Sequence, residues 1–415
     1  MKIVKVAGRE IINSRGLPTV ECSIELSDGS VVTASAPTGT SRGIYEAHEL
    51  RDGGSRFLGM GVLQAVEKIN KVMQPFLVGR EPNVIQTDMQ QLDIDGTDEK
   101  SVLGSNAMLA VGMAVARAQA MAEDLKLYEL LAYLCGFDEI SLPSPLINMI
   151  SGGAHVDNGL QVQELMIMPV GMSSFRSAME VSVMVFHVLQ ELLRKEGKKT
   201  FISCEGAIET SFGDEMEALD FLQVAIDHVQ GGYEGQVMIA LDVAASQFYN
   251  KRTKKYTWRG QQVDANGLIE WYSELLDKYP IYSIEDGLAE DDWDGWREMS
   301  RRLSSRVQLV GDDLYATDPQ RIWHGIEHDA SNAVLIKPNQ IGTVTEALQS
   351  VKLCRDNDLR YIISHRSGET NDSFIADMAV GTSSGQIKAG GCTRGERVAK
   401  YNRLLRIEDE LLLIF

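Results

Sequence analysis

The chain has 415 residues, with 40 Lys or Arg against 59 Asp or Glu and a formal net charge of −19. A surface this acidic repels nucleic acid and anionic lipid, so we expect neither as a partner. The hydrophobic fraction of 44% is ordinary for a globular protein, and the length suggests about two or three domains, or one large barrel with an extra domain.

Cysteine usage and apolar run lengths indicate the compartment. The five cysteines are scattered and never in C-x-x-C spacing, which argues against a disulfide framework and a zinc knuckle. The first residues contain no long apolar stretch, so no signal peptide is predicted. No run approaches about 18 uninterrupted apolar residues, so no membrane span is predicted. We therefore expect a cytoplasmic protein.

Residues 1–138 are predicted to form a mixed α+β domain. Residues 20–26 alternate in polarity like a strand, and a Gly-Ser turn then leads into a second strand. Residues 105–134 are Ala-rich with helical periodicity. Two prolines then interrupt the helical pattern, which makes a domain boundary there plausible and assigns residues 139–415 to a second domain.

In this second part, short apolar runs alternate with longer amphipathic segments. That rhythm is typical of buried parallel strands covered by helices. It fits both an open doubly wound sheet and a closed barrel. The runs are 201–203, 237–241, 281–284, 307–310, 333–336 and 361–364.

A charged side chain or an imidazole follows each of these runs, and another follows 386–387. A single instance would mark only the point where a strand reaches the surface. Seven instances favour a shared site, because barrel enzymes assemble their active sites at the C-terminal ends of several strands. The seven residues are Glu205, Asp242, Glu285, Asp312, Lys337, His365 and Lys388.

The residue types in this set indicate metal-assisted chemistry on an acid. Asp242, Glu285 and Asp312 are hard oxygen ligands without a nearby thiolate, which suits Mg²⁺ better than zinc. Cations beside Lys337 would lower its pKa from about 10.4, so that the amine could act as a base near neutral pH. The segment 365–367 offers donors suited to phosphate. An enolate formed next to a carboxylate would need such metal and cationic groups.

The sequence resembles the enolase family along essentially its whole length. The matching segments follow the family's order, and so many together are specific. They are Ser14-Arg15-Gly16 with Pro18-Thr19-Val20-Glu21, Glu49-Leu50-Arg51-Asp52-Gly53, Gly152-Gly153-Ala154-His155, Gln163-Glu164, Ser283-Ile284-Glu285-Asp286-Gly287-Leu288, Gly311-Asp312-Asp313-Leu314, Asn339-Gln340-Ile341-Gly342 and Ser364-His365-Arg366-Ser367-Gly368-Glu369-Thr370.

This resemblance implies the architecture and the reaction. The fold would be an N-terminal α+β domain followed by a (β/α)8-type barrel with an antiparallel start. The activity would be the Mg²⁺-dependent, reversible dehydration of 2-phosphoglycerate to phosphoenolpyruvate in glycolysis and gluconeogenesis, with two Mg²⁺ ions per active site. The resemblance also implies a homodimer, or a higher oligomer, in which Glu21 pairs with Arg406 across subunits.

The resemblance further implies a role for each matching residue. Lys337 would remove the proton from carbon 2, and Glu205, supported by Glu164, would help hydroxide leave carbon 3. Lys388 would bind the substrate carboxylate. The remaining implied roles are the first Mg²⁺ site for Asp242, Glu285 and Asp312, the second Mg²⁺ site for Ser41, phosphate binding for Arg366 and Ser367 with His365 nearby, and substrate contacts for Gln163 and His155, the latter on a closing loop.

Three departures from the family's pattern leave the rate and the substrate open. Arg42 places a cation where the family has a small hydroxyl, either facing solvent or making an extra anion contact. Cys204 replaces an aspartate before Glu205, with Ala207 after it, and the lost charge should lower the proton affinity of Glu205. Gln247 replaces a glutamate. A paralogue acting on another phosphorylated or carboxylated acid, or a weakly active binding protein, therefore remains an alternative.

Overall fold

A computed structural model describes residues 1–39, 43–156 and 158–412, and of His155 it describes the backbone only. The N-terminal part is a three-stranded antiparallel sheet, in the order β1-β2-β3, packed against helices. Its elements are β1 (Ile3–Ile12), β2 (Pro18–Leu26), β3 (Val31–Ser35), α1 (Leu63–Lys68), α2 (Gln74–Leu77), α3 (Val84–Asp95), α4 (Ser105–Ala122) and α5 (Leu127–Cys135).

The strands predicted for residues 20–26 and after the Gly-Ser turn are confirmed as β2 and β3. The single helix predicted over 105–134 is wrong in one respect, because the structure divides it into α4 and α5. Asp124 between them has a φ of 56°, a left-handed conformation that ends a right-handed helix. The α5 helix then restarts with the Glu129 side chain accepting from the Lys126 backbone N–H at 2.7 Å.

A second series of elements follows from residue 144. They are β4 (Ser144–Ser151), β5 (Glu164–Val170), α6 (Phe175–Lys195), β6 (Phe201–Ile202), β7 (Ile208–Glu209), α7 (Glu215–Gln230), β8 (Gln236–Asp242), β9 (Tyr249–Asn250), β10 (Lys255–Trp258), β11 (Gln261–Val263), α8 (Ala265–Lys278), β12 (Ile281–Glu285), α9 (Trp293–Leu303), β13 (Gln308–Gly311), α10 (Pro319–Glu327), β14 (Ala333–Ile336), α11 (Pro338–Ile341), α12 (Val344–Asp356), β15 (Arg360–Ser364), α13 (Phe374–Gly381), β16 (Gln386–Lys388) and α14 (Gly395–Leu412).

Within the described ranges, eight of these strands close into a barrel. Their order is β4-β5-β8-β12-β13-β14-β15-β16, and β16 pairs back with β4. The β4–β5 and β5–β8 pairings are antiparallel, whereas the others are parallel. The closed barrel with an antiparallel start is therefore confirmed, and the open sheet is excluded. The domain boundary at residue 138 lies between α5 and β4 and stays a prediction.

One predicted barrel strand is wrong. The run 201–203 contributes only β6, the first strand of a short hairpin whose second strand β7 pairs with the C-terminal end of β4. The strand that lies between β4 and β8 in the barrel is β5, which pairs with both of them. Phe201 is 61% exposed, so its apolar character does not reflect a place in the core.

Two hydrophobic clusters organise the core. The larger one extends from the N-terminal sheet to the layer between the barrel strands and their helices. The smaller one alternates with it along the strands, as expected for the inside of a barrel with a side-chain period of two. Its buried members are Leu146, Met166, Met168, Ala240, Val310, Ala333, Leu335 and Ile362. None of the described helices is both long enough and apolar enough to cross a membrane.

A buried carboxylate joins the N-terminal part to the barrel. Asp88 on α3 accepts hydrogen bonds from the backbone and hydroxyl of Thr345 on α12, both at 2.8 Å, and from Gln91 at 3.0 Å. A Cβ on Gly112 of α4 would lie 2.7 Å from its Oδ1, so glycine makes room for the carboxylate. Burial raises the pKa of Asp88 to about 7, although the Thr345 hydrogen bonds oppose this shift.

We expect Asp88→Asn to flatten the dependence of stability on pH. Because the folded-state pKa of about 7 exceeds an unfolded value of about 3.9, the native state holds an extra proton between them. The contribution of Asp88 to the free energy of unfolding is therefore largest below about pH 4 and falls as pH rises towards 7. Urea denaturation across this range measures it. Asp93→Asn, an exposed change on α3, is the matched control, and an equal slope for both variants would contradict the assignment.

Candidate active site

The alternation of side chains along the strands brings the predicted site residues to one mouth of the barrel. Asp242 follows the interior residue Ala240 by two positions, and Lys337 follows the interior residue Leu335 in the same way. Residues two apart on a strand share a face, so both side chains point into the barrel interior at its C-terminal end. Glu164 begins the antiparallel strand β5 and pairs in register with Asp242. It therefore reaches the same rim from the opposite chain direction.

The ammonium of Lys388 lies at the centre of this mouth. Its Nζ is 2.8 Å from Asp242, 2.9 Å from both oxygens of Glu285 and 3.0 Å from Glu164. Burial alone would lower the pKa of Lys388, but the attraction of Asp242, Glu164 and Glu285 outweighs it and holds the pKa well above its ordinary value. The pKa of Glu285 is also well above its usual range, because the group is buried and faces Asp242. Lys388 therefore stays charged and links β16 to the three strands β5, β8 and β12.

A second ammonium, that of Lys337, pairs with the Oδ2 of Asp312. Burial lowers the pKa of Lys337, but the charges of Asp312 and Glu285 together raise it above its usual value. The lowered pKa expected for Lys337 beside a metal ion stays a prediction. The other oxygen of Asp312 accepts from Gln340 Nε2 at 3.0 Å, and Gln340 in turn accepts from Thr317 at 2.8 Å. The carboxylate is thus held from both sides.

Two further aspartates, Asp286 and Asp313, lie beside Asp312, and the sequence alone assigns them no role. Asp286, with a φ of 43°, accepts from the backbone N–H groups of Asp312 and Asp313 at 2.8 and 2.9 Å. Burial, followed by the charges of Asp313 and Asp312, raises the pKa of Asp286 well above its usual value. Burial and the charge of Asp312 raise the pKa of Asp313 to about 8. One oxygen from each of the three lies within 4.8 Å of the others, so this cluster could hold a metal ion.

At the same mouth of the barrel, Glu164 and Glu205 lie beside His365. One ligand atom of each lies within 4.8 Å of the others, and all three residues are buried. Arg397 of α14 contacts the Nδ1 of His365 at 2.5 Å. Since a guanidinium can only donate, Nδ1 must accept, which leaves the proton of the neutral ring on Nε2. Burial and the charge of Arg397 both lower the pKa of His365 well below its usual value. Nothing in the sequence around His365 indicated Arg397.

Arg366, predicted to hold phosphate, is paired within the protein. Its Nη1 and Nη2 donate to the two carboxylate oxygens of Glu46 at 2.8 and 3.0 Å, and Nη1 also donates to Asn339 at 3.1 Å. A Cβ on Gly39 would lie only 1.8 Å from Nη2, so the guanidinium needs a glycine at this position of the loop. Glu46 therefore occupies the fork that an anionic ligand would use.

Two of the three departures from the family's pattern, those at Cys204 and Gln247, fall at the edge of this site. Cys204 is half-buried, and burial followed by the charge of Glu205 raises the pKa of its thiol. The loop around it is anchored by Ser203, whose hydroxyl lies 2.9 Å from that of Ser151 and accepts from the Ala207 N–H at 3.3 Å. A neutral thiol thus replaces a charge without releasing the loop.

Gln247 has a definite partner in the site. Its Nε2 donates to Gln163 Oε1 at 2.7 Å, which directs the Gln163 Nε2 towards Asp242, 3.3 Å away. Ser41 and Arg42 lie outside the described residues, as does the side chain of His155.

The assembled side chains enclose a cavity of about 40 Å³. Among the described residues that line it, seven carboxylates face only three cationic side chains. Of the predicted residues, the lining contains Gln163, Glu164, Glu205, Asp242, Asp312, Lys337, His365, Arg366, Ser367 and Lys388, and Glu285 reaches it through Lys388. The excess of carboxylates in this small cavity suits a divalent cation.

Comparisons with known proteins agree with the fold. One family model, described as the N-terminal domain of enolase, matches residues 3–131, and another, described as the C-terminal TIM barrel domain of enolase, matches residues 139–413. An enolase from Corynebacterium kroppenstedtii is 45% identical over 413 residues, which cover 99% of this chain and 96% of that protein. The chain therefore belongs to the enolase family of lyases.

Proposed function

We propose that the protein catalyses the Mg²⁺-dependent, reversible dehydration of 2-phosphoglycerate to phosphoenolpyruvate, the step used in glycolysis and gluconeogenesis. One observation carries this proposal: Lys337, Lys388 and the carboxylates of Asp242, Glu285 and Asp312 meet at one barrel mouth through direct ion pairs. A base and a cation on either side of a set of hard oxygen ligands is the arrangement that enolate formation needs.

The donor set fits Mg²⁺. Asp242, Glu285 and Asp312 end or follow the neighbouring strands β8, β12 and β13 and are buried, so they offer hard oxygens from a rigid frame. The cavity lining that the structure describes contains no thiol and one imidazole, that of His365, which Arg397 already contacts. When bound, Mg²⁺ would neutralise these carboxylates and polarise the substrate carboxylate, lowering the pKa of Lys337 and stabilising the enolate.

Each reacting proton then has a residue to move it. Lys337 takes the proton from carbon 2 once its amine is neutral. Glu205 gives a proton to the hydroxyl on carbon 3, which leaves as water, and Glu164 supports it from the same cluster. Lys388 offsets the negative charge that develops on the carboxylate. Because Lys388 keeps its charge through a pKa well above the usual value, it acts as an electrostatic group and not as a base.

Substrate binding would require the ion pair between Arg366 and Glu46 to open. The substrate phosphate takes the guanidinium fork of Arg366 from Glu46, with Ser367 and His365 beside it and Gln163 contacting the substrate. By the family's pattern, Ser41 would contribute to the second Mg²⁺ site and His155 would cover the substrate from its loop. Closure of the loop would exclude water.

We also propose a cytoplasmic homodimer. Glu21, expected to pair with Arg406 of a second copy, lies 3.5 Å from Arg9 of its own chain on the neighbouring strand β1. An exposed pair of this kind is weak, so an interface could replace it. Light scattering of the purified protein measures the oligomer directly.

An absorbance assay tests the function. Purified protein with 2-phosphoglycerate and Mg²⁺ should produce the ultraviolet absorbance of phosphoenolpyruvate, and excess chelator should abolish it until Mg²⁺ is restored. A Cys204→Asp variant should be assayed beside it, with Cys204→Ser as the control for loss of the thiol. No absorbance change from any of the three proteins would contradict the proposed substrate and favour another phosphorylated or carboxylated acid.

A further inference from the structure

A cluster of three potential metal ligands lies at the C-terminal end of α10, outside the residues that line the active-site cavity. It consists of His324, Glu327 and His328. Positions three and four apart lie on the same face of a helix, so the spacing H-x-x-E-H directs all three side chains to one side. One ligand atom from each lies within 4.8 Å of the others. The same spacing supplies two histidine ligands to zinc in one class of peptidases.

The two imidazoles are held in place by contacts that leave them available to an ion. The Nδ1 of His328 lies 2.8 Å from the carbonyl oxygen of His324. The carbonyl can only accept, so Nδ1 carries the proton, and Nε2 presents its lone pair. A hydrogen bond of this kind is the usual outer contact of a metal-binding histidine. The ring of His328 lies 4.1 Å from that of His324, measured between centroids.

The ring of His324 is also oriented by a neighbouring helix. It packs edge-on against Trp293, the first residue of α9, with ring centroids 4.5 Å apart and an interplanar angle of 88°. The guanidinium of Arg321 lies 5.5 Å from the centroid of the same indole. Trp293 thus limits the directions that the His324 ring can take on the side facing α9. The other side faces Glu327 and His328.

We propose that His324, Glu327 and His328 bind a borderline divalent transition metal, of which Zn²⁺ is the representative ion. Imidazole nitrogen favours Zn²⁺, Ni²⁺ and Cu²⁺ over Mg²⁺ and Ca²⁺, and one carboxylate completes a three-ligand set with water in the open position. Ligand atoms around tetrahedral zinc lie about 3.3 Å apart. The exposed side chains of His324 and Glu327 can close the difference from 4.8 Å by small rotations.

The chain supplies a matched control for this site. His228 near the end of α7 makes the same contact as His328, since its Nδ1 lies 2.7 Å from the carbonyl oxygen of Val224 one turn earlier. Val224 is four residues before His228, the position that corresponds to His324 relative to His328. His228 therefore has an oriented ring without a second nitrogen ligand on its helical face, and a single exposed histidine binds zinc weakly.

Calorimetric titration of the full chain with Zn²⁺ tests the proposal, with excess Mg²⁺ present to occupy the hard oxygen sites. Losing an outer contact of a ligand costs about 10–100-fold in metal affinity. Losing a ligand itself should therefore lower the affinity by at least about 100-fold. We expect the wild-type protein to bind one Zn²⁺ at this site, and His324→Ala and His328→Ala each to bind that ion at least about 100-fold more weakly. Glu327→Gln should lower the affinity for the same Zn²⁺ by a smaller factor. His228→Ala should bind as the wild-type protein does.

Fluorescence locates the ion independently of stoichiometry. Cu²⁺ bound beside Trp293 should quench tryptophan emission, and His328→Ala should remove this quenching while leaving the contact between His324 and Trp293 intact. Equal Zn²⁺ binding by His328→Ala and the wild-type protein, or quenching that persists in that variant, would overturn the proposal. These positions are exposed or half-buried, so we expect the variants to fold.

Discussion

Lys337→Ala should lower the rate of phosphoenolpyruvate formation by about 10³-fold or more, with little change in the fold. A positioned general base contributes roughly 10²–10⁴-fold to a proton transfer. The variant loses the amine and also leaves Asp312 without the ammonium that pairs with it. The lost amine should affect kcat more than KM, because proton abstraction occurs only in the transition state. Steady-state assays at saturating Mg²⁺ measure both constants.

The control for this variant is Lys352→Ala. Lys352 lies on α12 with its side chain 59% exposed and 3.7 Å from Asp356, so its removal should leave the rate unchanged. Far-ultraviolet circular dichroism of both variants establishes that the barrel is intact. Loss of a general base should lower the rate much more than about tenfold. If Lys337→Ala kept more than about a tenth of the wild-type rate, another residue would have to abstract the proton.

Lys388→Met should lower the free energy of unfolding by about 3–5 kcal/mol in the absence of divalent ions, the usual cost of leaving buried charges without their partner. Methionine keeps most of the side-chain volume but removes the ammonium from Asp242, Glu285 and Glu164. Urea denaturation with chelator measures the loss. Addition of Mg²⁺ should restore more stability to the variant than to the wild-type protein, because the ion would supply the missing positive charge.

The matched control is Lys278→Met. Lys278 pairs with Asp220 at 3.0 Å, but its side chain is 48% exposed, and exposed pairs contribute about 0–1 kcal/mol. Catalysis should be lost in Lys388→Met and kept in Lys278→Met. Equal stability of the two variants, with equal responses to Mg²⁺, would show that Lys388 does not neutralise the carboxylates.

The parts of the fold and site that the sequence predicted are those governed by local periodicity. The apolar runs ending before Asp312 and Lys337 identified barrel strands, and the period of two explains why those side chains converge. The prediction of a barrel strand at 201–203 was wrong because, in sequence, a short exposed apolar stretch resembles a buried strand. The break in the long helix depends on one left-handed residue, Asp124, which the Ala-rich pattern conceals.

The partners of the site residues were beyond prediction because they come from distant segments. Glu46 reaches Arg366 across 320 positions, and Arg397 reaches His365 across 32. The direction of the pKa shift of Lys337 also depends on which charged groups lie near its amine. Asp312 forms an ion pair with Lys337, and its charge together with that of Glu285 raises the pKa of the amine. A pattern of residue types does not contain these distances.

The pairing of Arg366 with Glu46 makes the protein its own competitor for anions. A ligand gains only the difference between its interaction with the guanidinium and that of the resident carboxylate. Singly charged carboxylates such as acetate or lactate offer nearly the same geometry as Glu46 and gain little. A phosphate monoester carries more charge and a third oxygen, so it can displace the side chain. Competition from Glu46 thus disfavours binding of common cellular acids, and it also weakens the binding of every other anion to Arg366.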